Sequence, residues 1–322
     1  MNSINHYREE FLAHLKTSIA VKEPRNLYEP IDYILQLGGK RLRPVLTLIA
    51  ADLFGGDYRK ALPAAAAVEV FHNFSLVHDD IMDNASLRRG KATVHQKWNS
   101  NIAILSGDAM LISAYRLLES YPPETFAALA KLFSKTALEV CEGQQWDMDF
   151  ETQTQVSIPQ YLQMIRYKTA VLVGAALQMG AIIAGASIEN QRLIYDFGVT
   201  IGLAFQLQDD YLDTFGDETF GKKIGGDILE NKKTILYLKA LDLADEAQRN
   251  TLIAQYTTSE ENDEKIAIVT QLFRQIGAAE AVRDEITRTT DEALNLLEHI
   301  TISDENRAYL KQFALELMNR KV

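Results

Sequence analysis

Apolar positions recur along this chain at intervals of three and four residues, which is the period of an amphipathic α-helix. No run of alternating Val, Ile or Thr bounded by hairpin turns requires a sheet. We therefore predict an all-α fold. The pattern predicts helices over 4–20, 28–37, 42–54, 63–83, 97–119, 124–149, 159–185, 189–214, 233–242, 246–256, 262–275, 278–299 and 304–319.

The predicted helices are separated by short segments rich in Gly and Pro. Such breaks lie at Gly38-Gly39, Gly55-Gly56 and Pro122-Pro123, and four glycines fall within 215–226. No low-complexity linker or change of composition divides the 322 residues. We therefore predict a single domain over 1–322.

Composition narrows the classes of partner. Apolar residues make up 47% of the chain, which is typical of a globular protein. A net charge of −11 argues against nucleic acid as the main partner. Basic residues nevertheless cluster within 40–43 and 88–91, and basic clusters on an acidic protein indicate anionic ligands.

The cysteine count and the hydropathy bear on location. Cys141 is the only cysteine, so no intrachain disulfide can form, and we expect it to be a small buried apolar residue. Residues 1–20 carry charges throughout and lack the apolar core of a secretion signal. The longest apolar stretch, 170–186, is too short to span a bilayer. We expect a cytoplasmic protein.

The pattern Asp-Asp-x-x-Asp occurs twice, as Asp79-Asp80-Ile81-Met82-Asp83 and as Asp209-Asp210-Tyr211-Leu212-Asp213. On a helix, the first and last Asp of each cluster share one face, and Mg²⁺ prefers carboxylate oxygens. Ordinary core packing does not call for three like charges in one turn. Two such helices facing each other would hold several cations. The alternative is a pair of solvated acidic helix ends.

Basic residues lie close to the first cluster and near the N-terminus. Arg88 and Arg89 follow the cluster, their planar guanidinium groups suit phosphate oxygens, and Gly90 leaves room for close approach. Lys40 and Arg43 lie one turn apart at a predicted helix start, which favours anions. These residues indicate phosphate binding, although a solvated loop or an ordinary basic helix start would look the same.

Polar residues also interrupt apolar helices. Lys168-Thr169 does so, and Gln206 shares a face with the second Asp cluster. Oxygen dipoles pointed into an apolar cavity can stabilise a carbocation, and a buried polar network is the alternative. The glycine-rich basic segment 221–233 suits a lid over phosphates, or else a plain surface loop.

Five segments, 38–44, 76–83, 88–90, 168–169 and 205–213, together resemble the trans-isoprenyl diphosphate synthases. The resemblance spans residues 38 to 234 in order. It implies the isoprenoid synthase fold, a helical bundle around a central cavity, and a homodimer. It also implies head-to-tail condensation of isopentenyl diphosphate with dimethylallyl, geranyl or farnesyl diphosphate, with release of pyrophosphate.

The resemblance further implies roles for individual residues. About three Mg²⁺ ions would be held by Asp79, Asp80, Asp83, Asp209, Asp210 and Asp213. The allylic diphosphate would be bound by Arg88, Lys168, Thr169, Gln206, Lys223 and Lys232. Isopentenyl diphosphate would be bound by Lys40, Arg43, His72 and Arg89. Catalysis would rest on Asp79, Asp80, Asp83, Arg88, Lys168, Thr169, Gln206, Asp209 and Asp210.

Product length is expected to depend on Phe74 and Ser75, which precede the first cluster, and on Phe71 deeper along the same helix. Helix geometry puts Ser75 beneath Asp79 and Phe74 to the flank, while Phe71 lies about 12 Å away along the axis. This arrangement resembles the geranylgeranyl diphosphate synthases. We expect a C20 product, with a C15 product as the alternative.

Two readings from other classes stay open. His72 and His78-Asp79 could belong to a metal phosphohydrolase of the His-Asp type. A metal-stabilised helical interaction module would explain the carboxylates but not the arginines. Terpene cyclases, head-to-head synthases and silent subunits usually alter or lose one Asp cluster, whereas this chain keeps both.

Overall fold

The computed structural model describes residues 1–216, 224–258 and 263–318. The helices are α1 (Ile4–Ser18), α2 (Arg25–Gln36), α3 (Leu42–Leu53), α4 (Leu62–Met82), α5 (Val94–Lys97), α6 (Ser100–Leu118), α7 (Pro123–Thr152), α8 (Ile158–Ile165), α9 (Val171–Ile183), α10 (Ile188–Phe215), α11 (Gly226–Leu229), α12 (Ile235–Leu243), α13 (Glu246–Thr257), α14 (Asp263–Ile276), α15 (Ala278–Glu298) and α16 (Asp304–Met318). A 3-10 helix covers Tyr58–Ala61 and a π-helical turn covers Arg166–Ala170. The all-α prediction is confirmed.

The chain forms two compact units. One comprises Met1–Lys135 and Ala175–Ile194, and the other comprises Thr136–Gly174 and Tyr195–Val322. Helices α7, α9 and α10 contribute residues to both. The single domain over 1–322 stays a prediction.

The first unit is built around α4. The run Ala64–Ala67 is fully buried, and these small side chains let α3 and α6 pack closely on this helix. A helix that is apolar on all sides belongs in a core. Its C-terminal end carries the first Asp cluster. The largest buried side chains around it include Ile31, Ile34, Leu48, Ile49, Phe71, Met110, Leu118 and Phe133.

A short hairpin follows α4, and the sequence pattern did not predict it. Strand β1 (Leu87–Arg88) pairs antiparallel with β2 (Lys91–Ala92). The two loop residues, Arg89 and Gly90, both have positive φ, at 53° and 73°. This is the backbone that a tight two-residue hairpin requires. Strands of two residues carry no alternation for a periodicity to detect.

The second unit is organised around α12, which packs against α8, α14 and α15. Ile235 and Leu236 of α12 and Phe273 of α14 are buried in its core. Helix α16 packs on α15. Ile228, which follows the second Asp cluster in the sequence, is buried in the same core.

Three further details differ from the predictions. The helix expected over 159–185 is divided into α8, the π-helical turn and α9. Residues 226–229, expected within an open glycine-rich segment, form α11. The burial predicted for Cys141 is wrong, because this residue is exposed on α7. None of the helices in the described residues is long and apolar enough to span a membrane.

Candidate active site

A cavity of about 270 Å³ lies in the second unit beside the C-terminal part of α10. It brings the second Asp cluster together with three lysines and several oxygen-bearing groups. The lining residues are Asp147, Phe150, Glu151, Tyr161, Met164, Ile165, Lys168, Thr169, Gln206, Asp209, Asp210, Asp213, Asp227, Asn231, Lys232, Lys233 and Thr234.

Asp210 is a buried and hydrogen-bonded carboxylate of this cluster. It is 6% exposed, accepts a hydrogen bond from the Tyr161 hydroxyl, and accepts another from Gln206 Nε2 at 3.0 Å. Burial raises the pKa of Asp210 to about 6. Burial and the negative charges of Asp210 and Asp213 raise the pKa of Asp227 to about 7. The cavity therefore holds excess negative charge that a bound cation would offset.

Asp213 connects α10 to the start of α11. The backbone N–H of Asp227 donates to Asp213 Oδ2 at 3.0 Å, and the N–H of Gly225 donates to the Asp213 carbonyl oxygen at 2.6 Å. The left-handed backbone of Gly225, with φ 79°, allows this close approach. Asp227 is thereby held among the residues that line the cavity.

The π-helical turn places Lys168 and Thr169. Lys168 Nζ lies 2.5 Å from Asp147 Oδ2. The Thr169 hydroxyl donates to Gln206 Oε1 at 3.3 Å. On α7, a Cβ at Gly143 would lie 2.2 Å from the backbone N of Lys168, so only glycine admits the turn here. Such one-turn π segments often occur at functional sites because they redirect the helix backbone.

Two further lysines, Lys232 and Lys233, line the cavity and follow α11. Lys232 Nζ is 2.7 Å from Glu230 and 3.8 Å from Asp227. Burial opposes its charge, but these two carboxylates raise the pKa of Lys232. Lys233 Nζ donates to the carbonyl oxygens at the end of α7, and burial lowers the pKa of Lys233. Lys223 lies outside the described residues.

The first Asp cluster ends α4 in the other unit. Asp80 is fully buried, and Arg88 Nε donates to its Oδ1 at 3.0 Å. Asp80 Oδ2 is buried and accepts no hydrogen bond within the described residues. A buried carboxylate oxygen of this kind suits a cation or a cation-bound water. Asp79 is half-buried and Asp83 is exposed.

The residues predicted for isopentenyl diphosphate cluster in the same unit. Arg43 Nη1 lies 3.3 Å from His72 Nε2. Arg89 donates to the Gly38 carbonyl oxygen, and its guanidinium covers Gly39, where a Cβ would lie 2.9 Å from Cζ. Lys40 follows these glycines and is exposed. The hairpin and the glycine turn thus form one basic region.

Comparison with known proteins identifies the family. A model of the family described as Polyprenyl synthetase matches residues 24–273. The chain belongs to this family. A geranylgeranyl pyrophosphate synthase of solved structure is 54% identical, with a TM-score of 0.96 and 100% of each chain covered.

Two relatives with similar sequences extend the comparison. A geranylgeranyl pyrophosphate synthase from Geoglobus acetivorans is 38% identical over 301 residues, which cover 93% of this chain and 92% of the relative. A short chain isoprenyl diphosphate synthase from Methanothermobacter thermautotrophicus is 36% identical, with 98% of each chain covered. The resemblance to prenyl diphosphate synthases is confirmed.

In this polyprenyl synthetase, the residues expected to set product length lie along α4. Phe71 and Phe74 are buried with ring centroids 5.6 Å apart, and Phe71 also contacts Phe133 at 5.2 Å. Ser75 is half-buried, and its hydroxyl donates to the His72 carbonyl oxygen at 2.9 Å. The aromatic side chains therefore pack on α4 five and eight residues before the half-buried Asp79.

Asp147, Tyr161 and Asp227 are among the cavity residues that sequence reasoning missed. The sequence did indicate a partner such as Asp147, because a lysine within an apolar helix needs a counter-charge. Asp147 supplies that counter-charge to Lys168. Tyr161 carried no signal, since its role depends on a contact with Asp210 across 49 positions. Asp227 follows two glycines and was assigned only to the lid.

His72 gives a prediction about pH. Burial and the surrounding Arg43, Arg89, Arg88 and Arg41 hold the pKa of His72 well below 6.5. The folded state therefore binds fewer protons than the unfolded state, so stability falls as pH drops below about 6.5, by up to about 1.4 kcal/mol per pH unit. We expect His72→Gln to remove this component.

The measurement is urea unfolding of both proteins at pH 7.5, 6.0 and 5.0. Titrations shared by the two proteins cancel in the difference between their unfolding free energies. We expect the wild-type protein to lose more stability than the His72→Gln variant as pH falls from 7.5 to 5.0. A difference that is constant across the three values would contradict the assignment.

Proposed function

We propose that this protein is a short-chain trans-prenyltransferase that condenses isopentenyl diphosphate with an allylic diphosphate and releases pyrophosphate. The observation that carries the proposal is the cavity beside α10, which combines carboxylates, lysines and the Thr169–Gln206 pair. Metal-chelated diphosphate and a developing carbocation need these three kinds of group. Family membership and the named relatives support the same activity.

The proposed metal ligands are the six Asp residues of the two clusters, and the expected content is three Mg²⁺ ions. The buried Oδ2 of Asp80 and the raised pKa values of Asp210 and Asp227 fit cation binding. Mg²⁺ is commonly bound through one or two carboxylates together with phosphate oxygens and water. When bound, Mg²⁺ would neutralise charge on the departing pyrophosphate.

The proposed diphosphate ligands divide between two substrates. Arg88, Lys168, Thr169, Gln206, Lys223 and Lys232 are assigned to the allylic diphosphate. Lys40, Arg43, His72 and Arg89 are assigned to isopentenyl diphosphate. The low pKa of His72 keeps its ring neutral at pH 7. The neutral ring would donate one hydrogen bond to a phosphate oxygen and would not repel the neighbouring arginines.

The proposed reaction needs no protein base. The allylic C–O bond breaks, and its electron pair leaves with pyrophosphate. The isopentenyl double bond then attacks the allylic carbon to form the new C–C bond. The resulting cation loses a proton to the released pyrophosphate. The oxygens of Thr169 and Gln206 would stabilise the positive charge, and neither is a strong nucleophile.

Product length is proposed to be C20, and Ser75 provides a test. Replacing this half-buried residue with Phe puts a ring beneath Asp79 on α4 and shortens the space for the growing chain. We expect Ser75→Phe to shift the main product from C20 to C15, whereas Ser75→Ala keeps C20. Chromatography of the dephosphorylated products measures both. An unchanged distribution in the Phe variant would remove Ser75 from the length determinants.

The competing functions are separated by what a reaction mixture releases. With geranyl and isopentenyl diphosphates and Mg²⁺, the proposed enzyme releases pyrophosphate together with longer prenyl diphosphates. A farnesyl diphosphate synthase would stop at C15. A phosphohydrolase of the His-Asp type would yield prenyl alcohols, and an interaction module would yield nothing. Omission of Mg²⁺ serves as the control. The cytoplasmic location and the homodimer stay predictions.

A further inference from the structure

A lysine is buried at the start of α14. Lys265 is 2% exposed, whereas lysine is rarely buried completely. It also lies in the first turn of its helix, where the helix dipole disfavours a cation. Both costs must be offset by contacts that the ammonium group makes.

The contacts of this ammonium group lead to the segment after α11. Lys265 Nζ donates to Asn231 Oδ1 at 2.7 Å and lies 3.3 Å from the Thr258 carbonyl oxygen. Asn231 Nδ2 donates to that same carbonyl oxygen at 3.2 Å. Lys265, Asn231 and Thr258 are therefore joined to one another by three hydrogen bonds, and we call these three residues the α14 clamp.

Asn231 has an unusual backbone. Its φ is 56°, in the left-handed region that side chains other than Gly rarely adopt. Asparagine tolerates this region better than most residues, but a cost remains. The clamp holds the residue there through its side chain. Asn231 and the next residue, Lys232, both line the cavity.

The neighbour of Lys265 contacts the other end of the same segment. Ile266 packs against Gly225, where an added Cβ would lie 2.7 Å from Ile266 Cγ2. Consecutive residues of α14 thus touch the first and the last residue of 225–231. Between these ends lies Asp227, which also lines the cavity.

We propose that Lys265 is a positioning residue, which holds Asn231 and thereby places Lys232 for the allylic diphosphate. The inference rests on the proposed function, in which Lys232 binds that substrate. Lys265 itself does not line the cavity. We therefore expect Lys265 to affect the binding of the allylic diphosphate and the order of residues 225–234.

The first test compares kinetic constants. Lys265→Met removes the ammonium group and keeps an unbranched apolar side chain. We expect the KM for geranyl diphosphate to rise about tenfold, as for loss of a charged hydrogen bond, while the KM for isopentenyl diphosphate stays within about twofold. The matched control is Lys311→Met at an exposed site on α16, with both KM values unchanged.

Asn231 supplies a second and independent variant. Asn231→Gly suits the left-handed backbone but cannot accept the hydrogen bond from Lys265. We expect the same selective rise in KM, and we expect the double variant to be no worse than either single one. Additive effects would mean that the two residues act separately. This variant also carries the test if Lys265→Met does not fold.

The second test needs no catalysis. Amide hydrogen exchange of the enzyme without substrate reports the order of 225–234, and we expect faster exchange there in both variants, with exchange in α4 unchanged. Equal KM changes for both substrates, or unchanged exchange over 225–234, would overturn the inference. A wild-type protein that elongates no primer would instead refute the proposed function and, with it, this role for Lys265.

Discussion

Replacing Asp79 or Asp209 with alanine is expected to lower kcat by about 10²- to 10³-fold while the protein stays folded. Each residue begins one of the two Asp clusters, and each is half-buried. Under the proposed function, loss of one carboxylate would remove a ligand for the cation that stabilises departing pyrophosphate. It also relieves repulsion among like charges, so the fold is not weakened.

The measurement is steady-state turnover at saturating Mg²⁺, with circular dichroism to verify folding. Asp284→Ala at an exposed position on α15 is the matched control, and we expect it to leave kcat unchanged. If either cluster variant kept kcat within tenfold of wild type, the assignment of that cluster to metal binding would be wrong.

Replacing Glu69 with alanine is expected to reduce the free energy of unfolding by about 3–5 kcal/mol. Glu69 and Arg41 form an ion pair in which the side chains are 3% and 2% exposed. Arg41 also donates to the Leu35 carbonyl oxygen, and Asn73 Nδ2 donates to Glu69 at 2.9 Å. Removal of the carboxylate leaves a buried guanidinium group without its counter-charge.

Urea unfolding measures this loss. Glu29→Ala, which breaks the exposed pair with Arg25 on α2, should cost less than about 1 kcal/mol. The double variant Arg41→Met with Glu69→Leu should recover most of the lost stability, since apolar residues can replace a buried ion pair. A loss below about 1 kcal/mol for Glu69→Ala would contradict this account.

The basic run 40–43 illustrates what sequence can and cannot assign. Its composition indicated an anion site, and Arg43 does lie beside His72. Arg41 in the same run is instead buried with Glu69, and its φ is 53°. The distinction depends on which residue takes the left-handed conformation before α3, and periodicity carries no information about that choice.

The helical assignment succeeded where burial is one-sided or complete over many residues. Helix α4 was predicted over 63–83 and is observed over Leu62–Met82. The failures occurred in short elements, such as the hairpin at 87–92 and α11, because two to four residues cannot show a period. The π-helical turn at Lys168 was indicated only as a polar interruption of an apolar helix.

The candidate site was predicted only in part, because a sequence pattern shows local motifs and not contacts between distant residues. Residues grouped in local motifs, such as Asp209, Asp210 and Asp213, were identified from sequence and line one cavity. Residues that reach the cavity from distant positions, such as Tyr161, were not identified. Their roles arise from tertiary packing, and a single sequence does not encode that packing in its local pattern.

The central claim is tested most directly by the chain length of the products. Purified protein is incubated with isopentenyl diphosphate and Mg²⁺, and with dimethylallyl, geranyl or farnesyl diphosphate in separate reactions. We predict elongation of an allylic primer, pyrophosphate release and a dominant C20 product. A dominant C15 product would keep the proposed reaction and contradict the assigned length. No elongation of any primer would contradict the proposed function.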